Sequence, residues 1–397
     1  MDQSKKLWTK NFIVLFIINF ILAQIFFLLV STIAVFSVET FNTSTSIAGL
    51  LSGTFVIGAL LGRLVSGRFI HKVGSQRILF IGLLSFLITT AGYMLATNLS
   101  LFFMNRLLHG ISFGIASTAS GTIIAQIIPR SRRGEGIGYY SLSTILATAS
   151  GPFLGIMFVT QTNNFFLIFL LNFILAIIIL GLYFLVKAPA MEIAPKESKS
   201  FSISQFIEKK VLPIAIVGML LGFVYSSIMA FITFYMEEIG LVKAGSFFFL
   251  VYASVVLISR PFTGRLMDQR GANIVIYPCL VLFAAGMLVY SQAHYGYMII
   301  LAAILIGFGY GSFNSIAQTI AINVTPKHRL GLATSTYFIL FELGLGLGPF
   351  TYGLLIPHLG FRGIYLAAFS MIIISIFLYY LLHGRRDHEL IPIPADK

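Results

Sequence analysis

The chain has 397 residues, of which 58% are hydrophobic and 10% are charged, and its mean hydropathy is +0.95. A soluble globular domain carries about 25% charged residues, so this composition excludes an ordinary water-soluble protein and indicates a chain embedded in a bilayer. The net charge of +13 has the sign that nucleic-acid binding requires, but its distribution along the chain points to membrane topology instead.

Twelve membrane-spanning helices are predicted along the chain. Several long stretches contain no charged residue, among them 12–38, 78–105, 136–186 and 272–326. The last two of these are long enough for two spans each. All spans must be helical, because backbone groups in lipid need hydrogen-bond partners within the segment. The predicted spans are 11–37, 46–69, 77–97, 100–127, 135–159, 163–186, 211–236, 244–266, 273–292, 296–322, 329–356 and 361–383.

Lysine and arginine residues concentrate in every second connection between these spans. This asymmetry predicts that both termini and the long connection from 187 to 210 are cytoplasmic. The expected organisation is an N-terminal six-helix bundle (1–187), a cytoplasmic linker (188–210), a C-terminal six-helix bundle (211–384) and a cytoplasmic tail (385–397). We expect an integral, multi-pass protein of a bacterial plasma membrane that does not bind nucleic acid.

The two halves of the chain repeat each other at a fixed offset of 197 residues, so that Arg63 matches Arg260. Further matched pairs are Gly67 and Gly264, Gly74 and Gly271, Gly110 and Gly307, Gly114 and Gly311, Pro129 and Pro326, Arg132 and Arg329, Gly151 and Gly348, and Pro152 and Pro349. A duplicated apolar chain is typical of secondary transporters.

The connections that follow spans 2 and 8 resemble the signature gating loop of the major facilitator superfamily, Gly-x-Leu-x-Asp-Arg-x-Gly-Arg-Lys. In that family the acid helps to hold the inward ends of the two halves together in the outward-facing state. The second copy keeps this acid as Asp268, whereas the first copy has His71 at the same position. His71 is either a pH-sensitive latch or a histidine of a solvated loop. The loop residues are Gly67, Arg68, His71, Gly74 and Arg77, and Gly264, Arg265, Asp268, Arg270 and Gly271.

The resemblance covers all twelve spans. It implies an all-α membrane fold in which twelve transmembrane helices form two pseudo-symmetric six-helix bundles, the major facilitator fold. It also implies a monomeric transporter that works by alternating access, with a small-molecule substrate, protons and the lipid bilayer as its partners.

Span 4 contains a charged residue inside the apolar region. Arg106, followed by Gly110, resembles the Arg-x-x-x-Gly motif of proton-coupled members of the family. Arg106 lies eight residues past the turn at Asn98, about 12 Å into the membrane. A charge at that depth normally faces a polar interior, and the alternative is a side chain that extends to the outer interface.

Span 5 resembles the antiporter motif of the drug/proton branch. The matching residues are Gly138, Ala147, Gly151, Pro152 and Gly155. The family pattern has glycine at the positions of Ala147 and Ile156. Small residues allow close helix packing and a proline bends the helix, so ordinary packing is the alternative explanation for this motif.

Glu342 in span 11 is the only acid deep in the membrane by sequence position, and its repeat partner is Ile145. An ionised carboxylate there is unfavourable unless paired. We therefore regard Glu342, together with Arg106, as a candidate for proton coupling, with a structural acid as the alternative. Glu39, Glu237 and Glu238 lie at outer span ends, where they are expected to face water, with proton or substrate contacts on the entry side as the alternative.

The repeat pair Arg63 and Arg260 is expected to anchor the helix ends of an inner gate, unless these arginines extend to the membrane surface. Spans 1, 4, 7 and 10 line the cavity in the family that the chain resembles. On those spans the candidate substrate contacts are Asn19, Gln24, His109, Ser112, Tyr225, Phe231, Tyr310, Asn314 and Gln318. This aromatic and polar mixture suits a bulky, partly apolar solute.

No phosphate-binding loop, metal-ligand spacing or nucleophile motif is found, so we expect neither an enzyme nor a cofactor or metal site. The leading hypothesis is a proton-coupled exporter of amphipathic organic compounds, of the drug-efflux type. The alternatives are a dedicated exporter of an endogenous metabolite, such as a siderophore, metallophore or sugar, an uptake permease, and a non-transporting membrane receptor. The small number of acids among the cavity residues would suit an anionic substrate.

Overall fold

The structure is a computed structural model that describes residues 6–43, 45–162, 164–189 and 206–386. Nearly all of these residues lie in helices. Ten of the described helical stretches are long and apolar enough to cross a membrane. The last of them, Lys327–Leu382, has 56 residues, about twice the length that one span needs.

The first half of the chain contains six long helices: α1 (Lys10–Phe41), α2 (Thr45–Val73), α3 (Ser75–Leu95), α4 (Leu99–Ile127), α5 (Arg133–Thr162) and α6 (Phe165–Tyr183). Short polar turns begin several of them. The side chain of Asn98 accepts a hydrogen bond from the backbone N–H of Leu101, and the side chain of Asn164 accepts one from the backbone N–H of Phe166. These contacts satisfy N–H groups that a helix start leaves without partners.

The second half contains α7 (Leu212–Glu238), α8 (Val242–Arg270), α9 (Asn273–Ser291), α10 (Gly296–Ile306), a π-helical turn (Gly307–Gly311), α11 (Ser312–Asn323) and α12 (Leu330–Leu382). Span 10 is thus formed by α10, the π-helical turn and α11. Gly360 has non-helical backbone angles (φ 67°, ψ 174°) that break α12 into two segments, which correspond to spans 11 and 12.

Contacts group the chain into two compact units. Unit 1 comprises Met1–Pro129, Tyr140–Glu208 and Pro326–Ser335, and unit 2 comprises Arg130–Tyr139, Lys209–Thr325 and Thr336–Lys397. The first turns of α5 therefore belong to unit 2, and the first turn of α12 belongs to unit 1. The predicted division at 187 and 210 stays a prediction, and much of that linker lies outside the described residues.

Within unit 1, α2 and α4 pack with their backbones in direct contact. A Cβ atom at Gly110 would lie 2.9 Å from the carbonyl carbon of Phe55, and one at Gly114 would lie 3.0 Å from the carbonyl carbon of Ala59. Only glycine permits so close an approach of two helices. The repeated glycines of span 4 therefore have a packing role in the fold.

Candidate functional site

The second gating loop binds the beginning of α5 within unit 2. Asp268, near the end of α8, accepts hydrogen bonds from the backbone N–H groups of Gly134 at 2.7 Å and Glu135 at 3.0 Å. The first turn of a helix offers unpaired N–H groups and a partial positive charge. The acid of the motif therefore binds the start of a helix that belongs to the other sequence repeat.

Glu135 adds two ion pairs to this contact. Its buried carboxylate accepts hydrogen bonds from Nε of Arg132 at 2.7 Å and from Nε of Arg265 at 2.9 Å. A Cβ atom at Gly134 would lie 2.6 Å from the carbonyl oxygen of Gly264, so the two backbones touch. We call Gly134, Glu135, Arg265 and Asp268 the α5–α8 latch. Sequence reasoning missed Glu135, although it is the only acid in the first turn of α5.

The first gating loop is built differently, within unit 1. A Cβ atom at Gly67 would lie 2.7 Å from Oγ of Ser335, whose hydroxyl donates to the carbonyl oxygen of Arg63 at 2.8 Å. These contacts join the end of α2 to the first turn of α12 through small residues. Half-buried His71 occupies the position of the acid, and its role as a pH-sensitive latch stays a prediction.

The remaining loop residues end helices or face outwards. Gly74 (φ 95°) and Gly271 (φ 86°) have the positive φ that glycine adopts readily, at the ends of α2 and α8. The guanidinium of Arg68 lies over the ring of Phe206 at 4.4 Å. Exposed residues are Arg77 and Arg270.

Arg106 lies in the interior of unit 1 and is fully buried. Its Nη1 donates to the hydroxyl of Tyr93 at 3.1 Å, and its guanidinium lies 4.5 Å above the ring of Phe55. Nε and Nη2 have no hydrogen-bond partner in the described part of the chain. A buried charge with so few partners is unfavourable for stability, which favours a functional role.

A chain of hydrogen bonds continues from Arg106 through α3. The hydroxyl of Tyr93 lies 3.0 Å from Nδ1 of His109, and Nε2 of His109 lies 3.2 Å from the hydroxyl of Thr90. Thr90 donates its own proton to the carbonyl oxygen of Phe86, so it accepts from Nε2. Full burial next to the charged Arg106 disfavours a second positive charge on the ring, so Nδ1 of His109 is the acceptor and Tyr93 donates to it. His109 is thus a fully buried, neutral part of this network, which we call the Arg106 network.

The antiporter motif of α5 packs against α1 in unit 1. A Cβ atom at Gly151 would lie 2.6 Å from Cβ of Phe27. Polar contacts flank it, since Nδ2 of Asn19 donates to Ser143 at 2.7 Å and Ser150 donates to Gln24 at 2.6 Å. The motif therefore forms a close helix–helix contact that also contains two of the predicted cavity residues.

The other motif positions also lie on α5, which is divided between the two units at Tyr139 and Tyr140. Ala147 and Gly155 are buried in unit 1, and Pro152 lies within α5. Gly138 belongs to unit 2, where a Cβ atom would lie 3.5 Å from the carbonyl oxygen of Arg260.

Most predicted cavity residues of the second half gather around one aromatic cluster in unit 2. Tyr225 stacks on Tyr310 with ring centroids 4.1 Å apart, and Tyr337 donates to Oδ1 of Asn314 at 2.7 Å. Gln318 is buried one turn after Asn314. The remaining candidates lie elsewhere: half-buried Phe231 in α7, half-buried Glu342 in α12 and, in unit 1, buried Ser112 in α4.

No cluster of three or more histidine, cysteine, aspartate or glutamate residues that could hold a metal ion is found among the described residues.

Comparisons with known proteins identify the family. The family model described as Major Facilitator Superfamily matches residues 15–288 and 244–396. The chain belongs to the major facilitator superfamily. It is therefore an integral, multi-pass membrane transporter rather than an enzyme, as the sequence predicts, and the expected all-α fold is confirmed.

Relatives in this superfamily include an export protein and a multidrug resistance protein. The staphylopine export protein of Staphylococcus aureus is 22% identical over 357 residues, covering 86% of this chain and 88% of the relative. The multidrug resistance protein MdtG of Dickeya zeae is 22% identical over 405 residues, covering 98% and 99%.

Solved structures share the fold. The human organic anion transporter MFSD10 superposes with a TM-score of 0.77 at 14% identity, covering 96% of this chain and 100% of that one. The transporter FucP, solved in the outward conformation, gives a TM-score of 0.74 at 15% identity, covering 94% and 99%.

Proposed function

We propose that this major facilitator superfamily transporter is a proton-coupled exporter of amphipathic organic compounds. The observation that carries the proposal is the antiporter motif on α5, with Gly151 packed directly on α1 beside two polar bridges between the same helices. Small residues at such a contact let two helices slide or rock against each other without losing their packing.

Alternating access would require the α5–α8 latch to break once per cycle. Its hydrogen bonds to Asp268 and its ion pairs to Glu135 join elements of the two sequence repeats. Such charge-assisted contacts are strong where they are shielded from water, but they are individually replaceable by hydration. Rocking of the repeats around a central substrate would then open the cytoplasmic end.

Proton coupling is assigned to Glu342 with Arg106 as the second group. Glu342 is half-buried within the apolar helix α12, and an acidic side chain within a membrane-spanning helix is a candidate proton carrier. The cycle uses protons as the coupling ion, works in a monomer, and has both termini in the cytoplasm of a plasma membrane.

Inverted membrane vesicles that contain the protein test this proposal. An imposed pH gradient, acid inside, should drive accumulation of ethidium or of naphthalene-2-sulfonate. Vesicles without the protein are the control, and collapse of the gradient with a protonophore should abolish accumulation. Accumulation that ignores the gradient would contradict proton coupling, and accumulation of neither probe would contradict the drug-efflux type of substrate range.

A dedicated exporter of an endogenous metabolite is the second candidate. The staphylopine export protein, whose alignment covers 86% of this chain, is a relative. Mass spectrometry of the medium from a strain lacking the gene would separate the two. Loss of one native metabolite from the medium, with unchanged tolerance to toxic compounds, would favour the dedicated exporter.

A further inference from the structure

Arg260, ten residues before the end of α8, is buried, with 2% of its surface exposed. Among the described residues, its Nε and Nη1 atoms have no hydrogen-bond partner and its guanidinium makes no ion pair with a carboxylate. A buried charge without a counter-charge is strongly unfavourable. The natural partner for this guanidinium is therefore an anion supplied from outside the chain.

Arg260 lies on the same helix as part of an aromatic stack. Tyr252 comes two turns before Arg260 on α8, and Val256, one turn before Arg260, packs against Gly311 beside Tyr310. Tyr225 stacks on Tyr252 with ring centroids 5.5 Å apart and on Tyr310 with centroids 4.1 Å apart. The stack ends at Tyr252, whose side chain is half-buried. A fixed positive charge beside a stack of flat, hydroxyl-bearing rings can bind both the anionic group and the ring of an aromatic anion.

The first sequence repeat has the same fold around Arg63 but lacks the tyrosines of the second repeat. There, Arg63 donates from Nη1 to the hydroxyls of Ser117 at 3.1 Å and Thr118 at 3.5 Å. At the positions of Tyr252, Tyr310 and Tyr225, the first repeat has Phe55, Phe113 and Leu28. The second repeat therefore carries three additional phenol groups on the same scaffold, and among the described residues its arginine lacks the hydroxyl partners of its counterpart.

The π-helical turn Gly307–Gly311 places Tyr310 in this stack. Its counterpart in the first repeat, Gly110–Gly114, is part of the regular helix α4. π-Helical turns occur frequently at functional sites, because they change the direction of the side chains that they contain. This is an independent indication that the cluster is functional.

We propose that Arg260 with Tyr225, Tyr252 and Tyr310 forms a binding subsite for the anionic end of a planar aromatic substrate, such as an aromatic sulfonate or carboxylate. This proposal rests on the transport function proposed above and specifies its substrate class. The guanidinium binds the anion through two parallel N–H groups, which lysine cannot reproduce, and the tyrosine rings contact the ring of the substrate.

The test uses two probes of the same ring and similar size, the anionic naphthalene-2-sulfonate and the neutral naphthalene-2-sulfonamide, in which an NH2 group replaces one oxygen. Isothermal titration calorimetry on the purified, detergent-solubilised protein measures both dissociation constants. The wild-type protein should prefer the sulfonate by about tenfold or more, because hydrogen bonds to a charged group are stronger than neutral ones. Arg260→Gln should lose this preference and leave sulfonamide binding unchanged.

Arg63→Gln, at the matched position of the first repeat, is the control and should keep the preference. Arg260→Lys keeps the charge and should weaken sulfonate binding by about threefold to tenfold through loss of the planar fork, which provides a second test if Arg260→Gln fails to fold. Equal affinity of the wild type for the two probes overturns the proposal, as does an unchanged preference in Arg260→Gln or an equal loss in Arg63→Gln.

Vesicle transport distinguishes this proposal from the proposed function. Selective binding of the sulfonate without transport of any probe would overturn the export function and leave the subsite intact. Proton-driven export of ethidium, with equal binding of the two naphthalene probes, would overturn the subsite and leave the export function intact.

Discussion

The hydroxyl of Tyr93 accepts a hydrogen bond from Arg106 and donates its own proton to Nδ1 of His109. The position of each proton in the Arg106 network follows from Thr90, whose proton goes to the backbone of α3. His109 thus holds Tyr93 in the orientation that Arg106 requires. The sequence identified Arg106 and His109 separately, as a coupling residue and as a substrate contact, but their connection through α3 requires the fold.

Arg106→Met should lower proton-driven export by at least about tenfold while leaving the protein as thermostable as the wild type. Methionine fills a similar volume and removes a buried charge that has few partners, which is often neutral or stabilising. Export is measured in the vesicle assay, and stability by thermal unfolding in detergent. Tyr93→Phe is the matched control and should reduce export less, since the guanidinium remains. Normal export by Arg106→Met would show that Arg106 has no coupling role.

Glu342→Gln should retain substrate counterflow but lose accumulation driven by a pH gradient. Glutamine resembles the protonated carboxyl group and cannot release a proton, so exchange remains possible while coupling is lost. Counterflow and gradient-driven uptake are measured in the same vesicles. Glu237→Gln, at the exposed end of α7, is the control and should behave like the wild type. Gradient-driven accumulation by Glu342→Gln would assign Glu342 a structural role.

At the beginning of α5, two backbone N–H groups are satisfied by one side chain from α8. Asp268 binds both groups, whereas His71, its equivalent in the first repeat, cannot supply two acceptor oxygens. The corresponding contact of α12 uses Ser335 and glycines instead. The two gating loops therefore hold their helices by different chemistry, charged in one copy and small and uncharged in the other.

Asp268→Asn should speed hydrogen exchange at the amides of Gly134 and Glu135 by about tenfold. Loss of the charge weakens the attraction to the helix N-terminus by about 1 kcal/mol, and an amide offers one acceptor oxygen instead of two. Mass spectrometry of peptides that cover residues 130–140 measures this exchange. His71→Asn is the matched control and should leave these amides unchanged, and equal acceleration in both variants would contradict the latch.

Hydropathy located the helices well, because the length of an apolar run is visible in the sequence. Span 1 was predicted at 11–37 and α1 is Lys10–Phe41. Hydropathy could not reveal the π-helical turn Gly307–Gly311 or the pairing of Glu135 with Arg265, since both depend on side-chain direction and on contacts between distant segments. The internal repeat located the equivalent residues, but it could not show that Arg63 and Arg260 differ in their partners.

At the scale of the whole molecule, the two compact units do not coincide with the two sequence repeats. The first turns of α5 belong to unit 2, and the beginning of α12 belongs to unit 1. Each repeat thus contributes one helix beginning to the other unit. In the alternating-access cycle that we propose, contacts are made and lost at these two helix beginnings.

A thiol cross-link between Glu135→Cys and Arg265→Cys should abolish transport reversibly. These side chains pair directly in the structure, and joining them prevents the latch from opening. A short disulfide-forming bifunctional reagent is applied to the vesicles, and a reductant should restore transport. Each single cysteine variant is a control, and buried Cys279 should contribute no background. Full transport in the cross-linked protein would contradict opening of the latch.

The π-helical turn has a consequence for how far the internal symmetry extends. The offset of 197 residues continues unchanged through Gly307–Gly311, so this turn uses the same number of residues as its α-helical counterpart in α4. A π-helix has more residues per turn than an α-helix, and the side chains beyond Gly311 are therefore rotated about the axis relative to those beyond Gly114. We therefore expect Asn314 and Gln318 to face other directions than their sequence equivalents, Ser117 and Gly121, and a chimera that replaces 307–311 by 110–114 should separate Asn314 from Tyr337, its present partner. A repeat that keeps its residue number while one helix changes its pitch can alter its ligand contacts without an insertion in the chain.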